Sequence, residues 1–266
     1  MQRLKDLVNR VVPEGPFKEV LRYVHHRATR NGGIDVAYDL GKSCYRVTFP
    51  DGPLQGQQVL FPRESIVPLL GMGVEIPPYF TKPFAEGALV IDAGAYPGEF
   101  AVLASRMVGS GVVVALEPDP VNRAYLQKVL DLNGVDVASL ELALSDGVGK
   151  KQLVLNGVES QIVNPDYRRN GSELVDVRTI TLDSLTAEAR TASKPIVVKM
   201  DIEGHELEAF RGASETIAYG AQFIVAAYHR VAGEQTYCAL SSLLREEGYK
   251  VELVNQPHVT LIARKS

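Results

Sequence analysis

"VIDAGAYPGEF", residues 90–100, is the stretch on which the fold turns. An apolar run ends in Asp92, then Gly94 and Gly98 punctuate a turn before a helix-period segment. A glycine just past a buried strand allows a close backbone approach, and the second lies where the next helix opens with free N–H groups. A dinucleotide dehydrogenase would read G-x-G-x-x-G here and seat a pyrophosphate on that helix. This chain reads D-x-G-x-x-x-G. An acid before the first glycine repels a pyrophosphate and suits a cationic ligand, such as the ammonium of an amino-acid moiety. The bland alternative is an ordinary strand-to-helix turn.

Outward from residue 88 the pattern alternates. Short apolar runs at 88–92, 111–117, 138–144, 195–201 and 222–228 fit buried parallel strands, and helix-period stretches occupy 98–108, 119–133, 203–218 and 234–247. This predicts an α/β doubly wound sheet. "GYKVELVNQPHVTLIARK" (248–265) reads as a closing antiparallel hairpin, and "KKQLVLN" and "ELVDVRTITL" as an inserted β pair flanking the polar loop 156–173. A late antiparallel hairpin favours a methyltransferase variant of this architecture over a dehydrogenase. Upstream, 2–12 and 16–30 read as amphipathic helices split by "PEGP", and 33–62 as a small β-meander. The expected organisation is an extension over 1–75 and a main domain over 76–266.

The chain has 266 residues, 45% hydrophobic and 23% charged, ordinary for a globular protein, and no apolar run approaches the roughly 18 residues of a membrane span. The opening "MQRLKDLVNR" lacks the apolar core of a secretory signal. Cys44 and Cys238 are far apart and outside metal-ligand spacing, so neither a disulfide framework nor a zinc site is expected and a cytoplasmic setting is. Net charge is −4, yet residues 1–31 carry seven basic against three acidic side chains. The acidic body argues against nucleic-acid binding, and the basic head hints at an anionic partner or membrane surface. Oligomeric state is not legible.

Glu117 ends the second strand, 25 residues after Asp92. In nucleotide-binding α/β folds an acid there accepts hydrogen bonds from ribose hydroxyls. Asp119 suits the N-cap of the next helix and Pro120 its first position. Asp92 near a cation and Glu117 on a ribose together point to S-adenosylmethionine, with NAD the runner-up.

Here the chain resembles the FkbM-type S-adenosylmethionine-dependent methyltransferases, over roughly residues 75–229. The matching pieces are "VIDAGAYPGEF", "ALEPDPVNRAYLQKVLDLNG", "LELALSDGVGK", "VRTITLDSL" and "VVKMDIEGHELEAFRGA". The resemblance implies a class I (Rossmann-like) methyltransferase fold and O-methylation of a sugar or other metabolite hydroxyl. It places Asp92, Gly94 and Gly98 on the methionine side, Glu117 on the ribose, and Ser145 and Asp146 near the adenine. Ala95, Tyr96, Pro118 and Asp201 complete the expected cofactor-binding set. One departure concerns the fifth strand, "IVAAYHR", where Ala227 stands at a position the family often gives to a glutamate, two before His229. That departure keeps open a non-catalytic cofactor- or protein-binding module.

"KPIVVKMDIEGHELEAF" (194–210) puts a lysine inside an apolar strand and acids at its end. Lys199 and Asp201 share a strand face, and a buried ammonium needs an anion, for which Asp201 or Asp183 are candidates. Ligands of open α/β sheets bind outside the carboxyl ends of the strands, where Asp92, Glu117, Asp201 and His229 fall. An alcohol acceptor must lose its proton, so His229, whose unperturbed pKa of roughly 6.5 suits base duty, is the first catalytic candidate and Asp201 the second. Asp201, Glu203 and His229 have the chemistry of a metal site, but their spacing does not demand one and none is expected. His205 and Glu206 read as solvated first-turn residues, and the pair His25-His26, on a charged helix with no matching ligands nearby, reads as exposed. In the loop 156–173, Tyr167, Arg168 and Arg169 suit a lid or a solvated tip; Tyr79, Phe80 and Tyr96 suit a pocket wall or packing.

Overall fold

The computed structural model describes residues 21, 34–64, 76–81, 83–157, 160–163, 173–231, 233–255 and 258–265. The chain forms two compact units, Met1–Phe80 and Thr81–Ser266. The expected N-terminal helices (Leu21 aside, which is helical), the basic head, His25-His26 and the lid residues Tyr167, Arg168 and Arg169 lie outside the described residues.

In the first unit, β1 (Asp35–Asp39), β2 (Cys44–Thr48) and β3 (Gln58–Pro62) form the expected antiparallel meander. Val36, Val47 and Val59 are buried and stand in register across it, a row of β-branched side chains on one face. Asp39 closes the first turn by accepting from the Gly41 and Lys42 amides and pairing with Arg46. Within the stretch read as a loop, Pro77–Phe80 forms one 3-10 turn whose Tyr79 and Phe80 are buried.

The second unit begins with β4 (Leu89–Ala93), α1 (Glu99–Met107), β5 (Val112–Leu116), α2 (Pro120–Asn133) and β6 (Ala138–Leu140). Short strands β7 (Ala143–Leu144), β8 (Gly149–Val154), β9 (Gln161–Val163) and β10 (Leu174–Ile180) follow, then α3 (Leu182–Thr191) and β11 (Ile196–Met200). Next come α4 (Glu206–Arg211), α5 (Ser214–Tyr219), β12 (Gln222–Ala226) and the small hairpin β13 (Arg230–Val231) and β14 (Glu234–Gln235). The unit closes with α6 (Thr236–Glu246), β15 (Tyr249–Asn255) and β16 (Val259–Lys265). The main sheet has the order β15-β16-β12-β11-β4-β5-β6; β16 is antiparallel to both β12 and β15, and the other pairs are parallel. A second sheet, β7-β10-β8-β9, contains the inserted pair.

Strand alternation puts helices on both faces of the main sheet. Ile91, Ala93, Val198, Met200 and Phe223 share one core with Leu182 of α3, Phe210 of α4, Ile217 of α5 and Leu240 of α6. The opposite face carries Asp92 and Lys199, and the Lys199 ammonium lies 5.8 Å from the centroid of the Phe100 ring on α1. Gly98 opens α1 at φ 115°, where a Cβ would lie 2.9 Å from Leu126 of α2. The architecture is the doubly wound α/β sheet with a terminal hairpin. Among the described residues no helix is long and apolar enough to cross a membrane.

Three local expectations are corrected. The run 138–144 is two strands, β6 on the main sheet edge and β7 beside β10. The helix expected over 203–218 is α4 and α5, because Asp183 caps α5 anew by accepting from the Glu215 and Thr216 amides at 3.1 and 2.8 Å. The helix α3 follows β10 without a break in the apolar pattern and escaped the sequence reading; Thr181 starts it by accepting from the Ser184 amide.

Candidate active site

The loop after β4 is tied to β5, with the Gly94 and Ala95 amides both donating to the Leu116 carbonyl. Gly94 has φ 70°, and a Cβ there would lie 1.8 Å from the Asp201 carbonyl oxygen, so the fold itself demands glycine where this loop meets the end of β11. Tyr96, joined to Pro97 by a cis peptide bond, donates its amide to Glu117 Oε2 at 3.3 Å and packs its ring 5.5 Å from that of Tyr125. Burial pushes the Tyr96 phenol up to about 12.

Glu117 is buried, and past Pro118 the Asp119 amide donates to its Oε1 at 3.1 Å. Burial pushes its carboxyl up to about 7 against the pull of those two N–H groups. Each oxygen takes one backbone donor, which leaves each a lone pair for a ribose hydroxyl; the residue fits the nucleoside end of the expected cofactor. Asp119 caps α2 through the Val121 and Asn122 amides and also accepts from Ser160 Oγ at 2.7 Å.

Asp92 differs from expectation. It is fully buried and its Oδ1 lies 3.0 Å from Lys199 Nζ, its registered neighbour across β4 and β11. Its counter-charge is thus internal and not a ligand ammonium. The same contact corrects the pairing of Lys199, whose ammonium also donates to the Gly94 carbonyl at 2.8 Å. Burial alone would push the Lys199 ammonium down, but Asp92 and Asp201 reverse that and hold it charged. Asp183, the other acid named for it, instead caps α5 and meets Arg190 at 3.4 Å.

Ser145 and Asp146 follow β7. Ser145 Oγ donates to Asp146 Oδ1 at 2.9 Å and lies 3.0 Å from His205 Nε2. Lys151, 2.9 Å away, and Ser145 hold the Asp146 carboxyl down at about 2.

Past β11 the chain turns sharply, with Glu203 at φ 54° and Gly204 at φ 94°. This brings Asp201, Glu203 and His229 together: His229 Nε2 lies 3.3 Å from Glu203 Oε2 and 3.7 Å from Asp201 Oδ1. The reading of His205 and Glu206 as solvated is overturned, since His205 is buried and Glu206 is wholly so. Glu206 Oε1 sits 2.9 Å from His229 Nδ1 and accepts from the Gly204 amide at 3.2 Å. Burial alone would push the His229 imidazolium down, but Glu203, Glu206 and Asp201 raise it to about 10. This departs from the unperturbed value of roughly 6.5 on which the choice of His229 as first base candidate rests. Burial pushes the Asp201 carboxyl up, with Lys199 and His229 opposing. Glu206 was missed, although Ala209 and Phe210 mark a buried helix face on which position 206 also falls.

Comparison with known proteins follows the same lines. The family described as "Methyltransferase FkbM domain" matches residues 92–251. No match was found among curated proteins. Among solved structures the chain is similar to a methyltransferase from Geobacter sulfurreducens, at 15% identity over 66% of this chain and 70% of that one, TM-score 0.40. It is similar to Aeropyrum pernix fibrillarin in complex with natively bound S-adenosyl-L-methionine, at 12% identity over 70% and 69%, TM-score 0.40. It is also similar to precorrin-6y C5,15-methyltransferase from Geobacter metallireducens, at 14% identity over 69% and 82%, TM-score 0.39. The family match spans well over half of the chain, so the protein belongs to the FkbM methyltransferase domain family, and S-adenosylmethionine is its cofactor.

Proposed function

We propose that this methyltransferase modifies a hydroxyl oxygen, that of a sugar or glycoconjugate, which is the acceptor class the family resemblance supports. The observation that carries the reading is the shared wall between the acid–imidazole cluster and the glycine loop: the Asp201 amide donates to the Ala93 carbonyl, and the Asp201 carbonyl occupies the space a Gly94 Cβ would need. Glu117, with one free lone pair on each oxygen, is the group to hold the ribose.

S-adenosylmethionine supplies a methyl group on a sulfonium. In the displacement the acceptor oxygen forms the new C–O bond as the C–S bond breaks, and the hydroxyl proton goes to a base. Placing that oxygen in line with the methyl carbon contributes much of the rate. Asp201 is the group to take the proton, because burial raises its affinity for one. His229, held protonated, orients Asp201 and the acceptor, so the order of the two base candidates reverses. The Ala227 departure does not leave His229 without a carboxylate, since Glu206 provides one at 2.9 Å. That weakens the case for a non-catalytic module.

Calorimetric titration with S-adenosylhomocysteine is the test, with NADH as control. Saturable binding that Glu117→Ala weakens at least tenfold, and no response to NADH, licenses an acceptor screen in which Asp201→Asn abolishes turnover. A folded protein that ignores S-adenosylhomocysteine sinks the reading.

A further inference from the structure

We propose that Asp201, Glu203 and His229 form a binding site for a divalent first-row transition cation, with Glu206 as the residue that positions the imidazole. The three side chains offer two carboxylate oxygens and one ring nitrogen, all within 4.8 Å of one another. Acids gathered at a strand end do not make such a site by themselves. The decisive feature is His229. Its side chain is only 9% exposed, and its buried Nε2 stands 3.3 and 3.7 Å from the two carboxylates in hydrogen-bonding geometry with neither. A buried polar nitrogen lacking a hydrogen bond is costly unless something else fills the role of partner.

The other ring nitrogen explains the direction of this one. Glu206, fully buried, sits 2.9 Å from Nδ1. When an ion displaces the Nε2 proton of His229, the Nδ1–H given to Glu206 keeps the tautomer in which Nε2 carries a lone pair, the arrangement seen in metal-binding histidines generally. The lone pair then points at the Asp201 and Glu203 oxygens. Donors about 2.1 Å from one ion and roughly 100–120° apart are separated by about 3.2–3.6 Å, close to the observed spacings. Two carboxylates around a neutral imidazole carry two negative charges, which one divalent ion offsets. Among the described residues Lys199 acts on Asp201 but is already engaged by Asp92.

Mixed imidazole and carboxylate donors suit Mn²⁺, Fe²⁺ or Zn²⁺ better than Ca²⁺ or Mg²⁺, which favour oxygen alone. Three protein ligands leave positions open. Binding of the ion stands independently of the proposed methyl transfer. Its role rests on that reading: an acceptor hydroxyl taking an open position would be more acidic and would surrender its proton to the uncoordinated oxygen of Asp201.

The probe is Mn²⁺ added to the tag-free full chain, followed by electron paramagnetic resonance and calorimetry. We expect one saturable site, and in protein carrying ¹⁵N-histidine an electron spin echo modulation from a single bound imidazole. His229→Gln should abolish that signal. Glu203→Gln, a partly exposed position chosen to preserve folding, should weaken binding at least tenfold, and Glu206→Gln about 10–100-fold. A His25→Ala/His26→Ala variant should bind as the wild type does. Absence of a saturable site in folded protein overturns the proposal, as does binding that survives both His229→Gln and Glu203→Gln. Titration with S-adenosylhomocysteine on metal-free protein separates the two readings: cofactor binding without Mn²⁺ binding removes only the metal site, and the converse removes only the methyl-transfer assignment.

Discussion

Replacing Lys199 by methionine tests the central ion pair of the sheet. The Asp92 carboxylate is fully buried, Lys199 is 6% exposed at its side chain, and the pair is 3.0 Å apart. Methionine fills much the same space without charge, so the loss is electrostatic. Breaking one side of a buried pair costs about 3–5 kcal/mol, since it leaves the partner charge uncompensated. In a chain of this size that corresponds to a melting temperature lower by about 6–20 °C. The deficit should depend on pH. Without Lys199 the Asp92 carboxyl, already pushed up by burial, rises further. A carboxyl whose folded pKa exceeds its unfolded one makes the folded state hold more protons, so stability falls as pH rises between the two values. The penalty of Lys199→Met is therefore larger at pH 8 than at pH 5. The double variant Asp92→Asn/Lys199→Met removes both charges and should regain at least half of the loss. Thermal melts by circular dichroism across pH 5–8 provide the measurement. A single variant within 2 °C of wild type, or a double variant no better than the single one, would refute the assignment of Asp92 to Lys199.

Gly94→Ala should cost about 3–5 kcal/mol in chemical denaturation, combining a clash with the Asp201 carbonyl and a positive φ; a loss under 1 kcal/mol would show that the loop yields. The affinity for S-adenosylhomocysteine should fall about tenfold between pH 8 and pH 6 as Glu117, pushed up to about 7, takes a proton and ceases to accept from both hydroxyls; Glu117→Gln should flatten that profile, and an unchanged slope would point to another group. In metal-free protein, ¹⁵N spectra should show His229 protonated through pH 8, its contribution to stability complete below pH 6.5 and lost as pH rises through about 10. Glu206→Gln should lower that midpoint by about 1–2 units, the equivalent of one charge-assisted hydrogen bond. A His229 midpoint near 6.5 in the wild type would undo the description of the cluster. Asp119→Ala should cost about 1 kcal/mol through the lost cap of α2, read by the same denaturation.

The sequence by itself determined whatever rests on short-range pattern. The alternation of apolar runs and helix-period stretches specified the doubly wound sheet, and "NQPH" the terminal hairpin. "PDP" fixed the start of α2, because an N-cap aspartate and a first-turn proline act within three residues. The place of Glu117 just past β5 was legible for the same reason, as an acid closing an apolar run. What the tertiary structure alone decided is which distant side chains meet. Asp92 and Lys199 lie more than a hundred residues apart and pair because β4 and β11 are neighbours in a given register. Strand order, not strand pattern, chose that partner over Asp201 and Asp183. Burial of Glu206 arises likewise from packing: its helix face is visible in sequence, but the imidazole that justifies an acid there comes from the end of β12. The short turns 201–205 after β11 and 227–229 after β12 close that distance, and the carboxylates gathered there raise the proton affinity of His229.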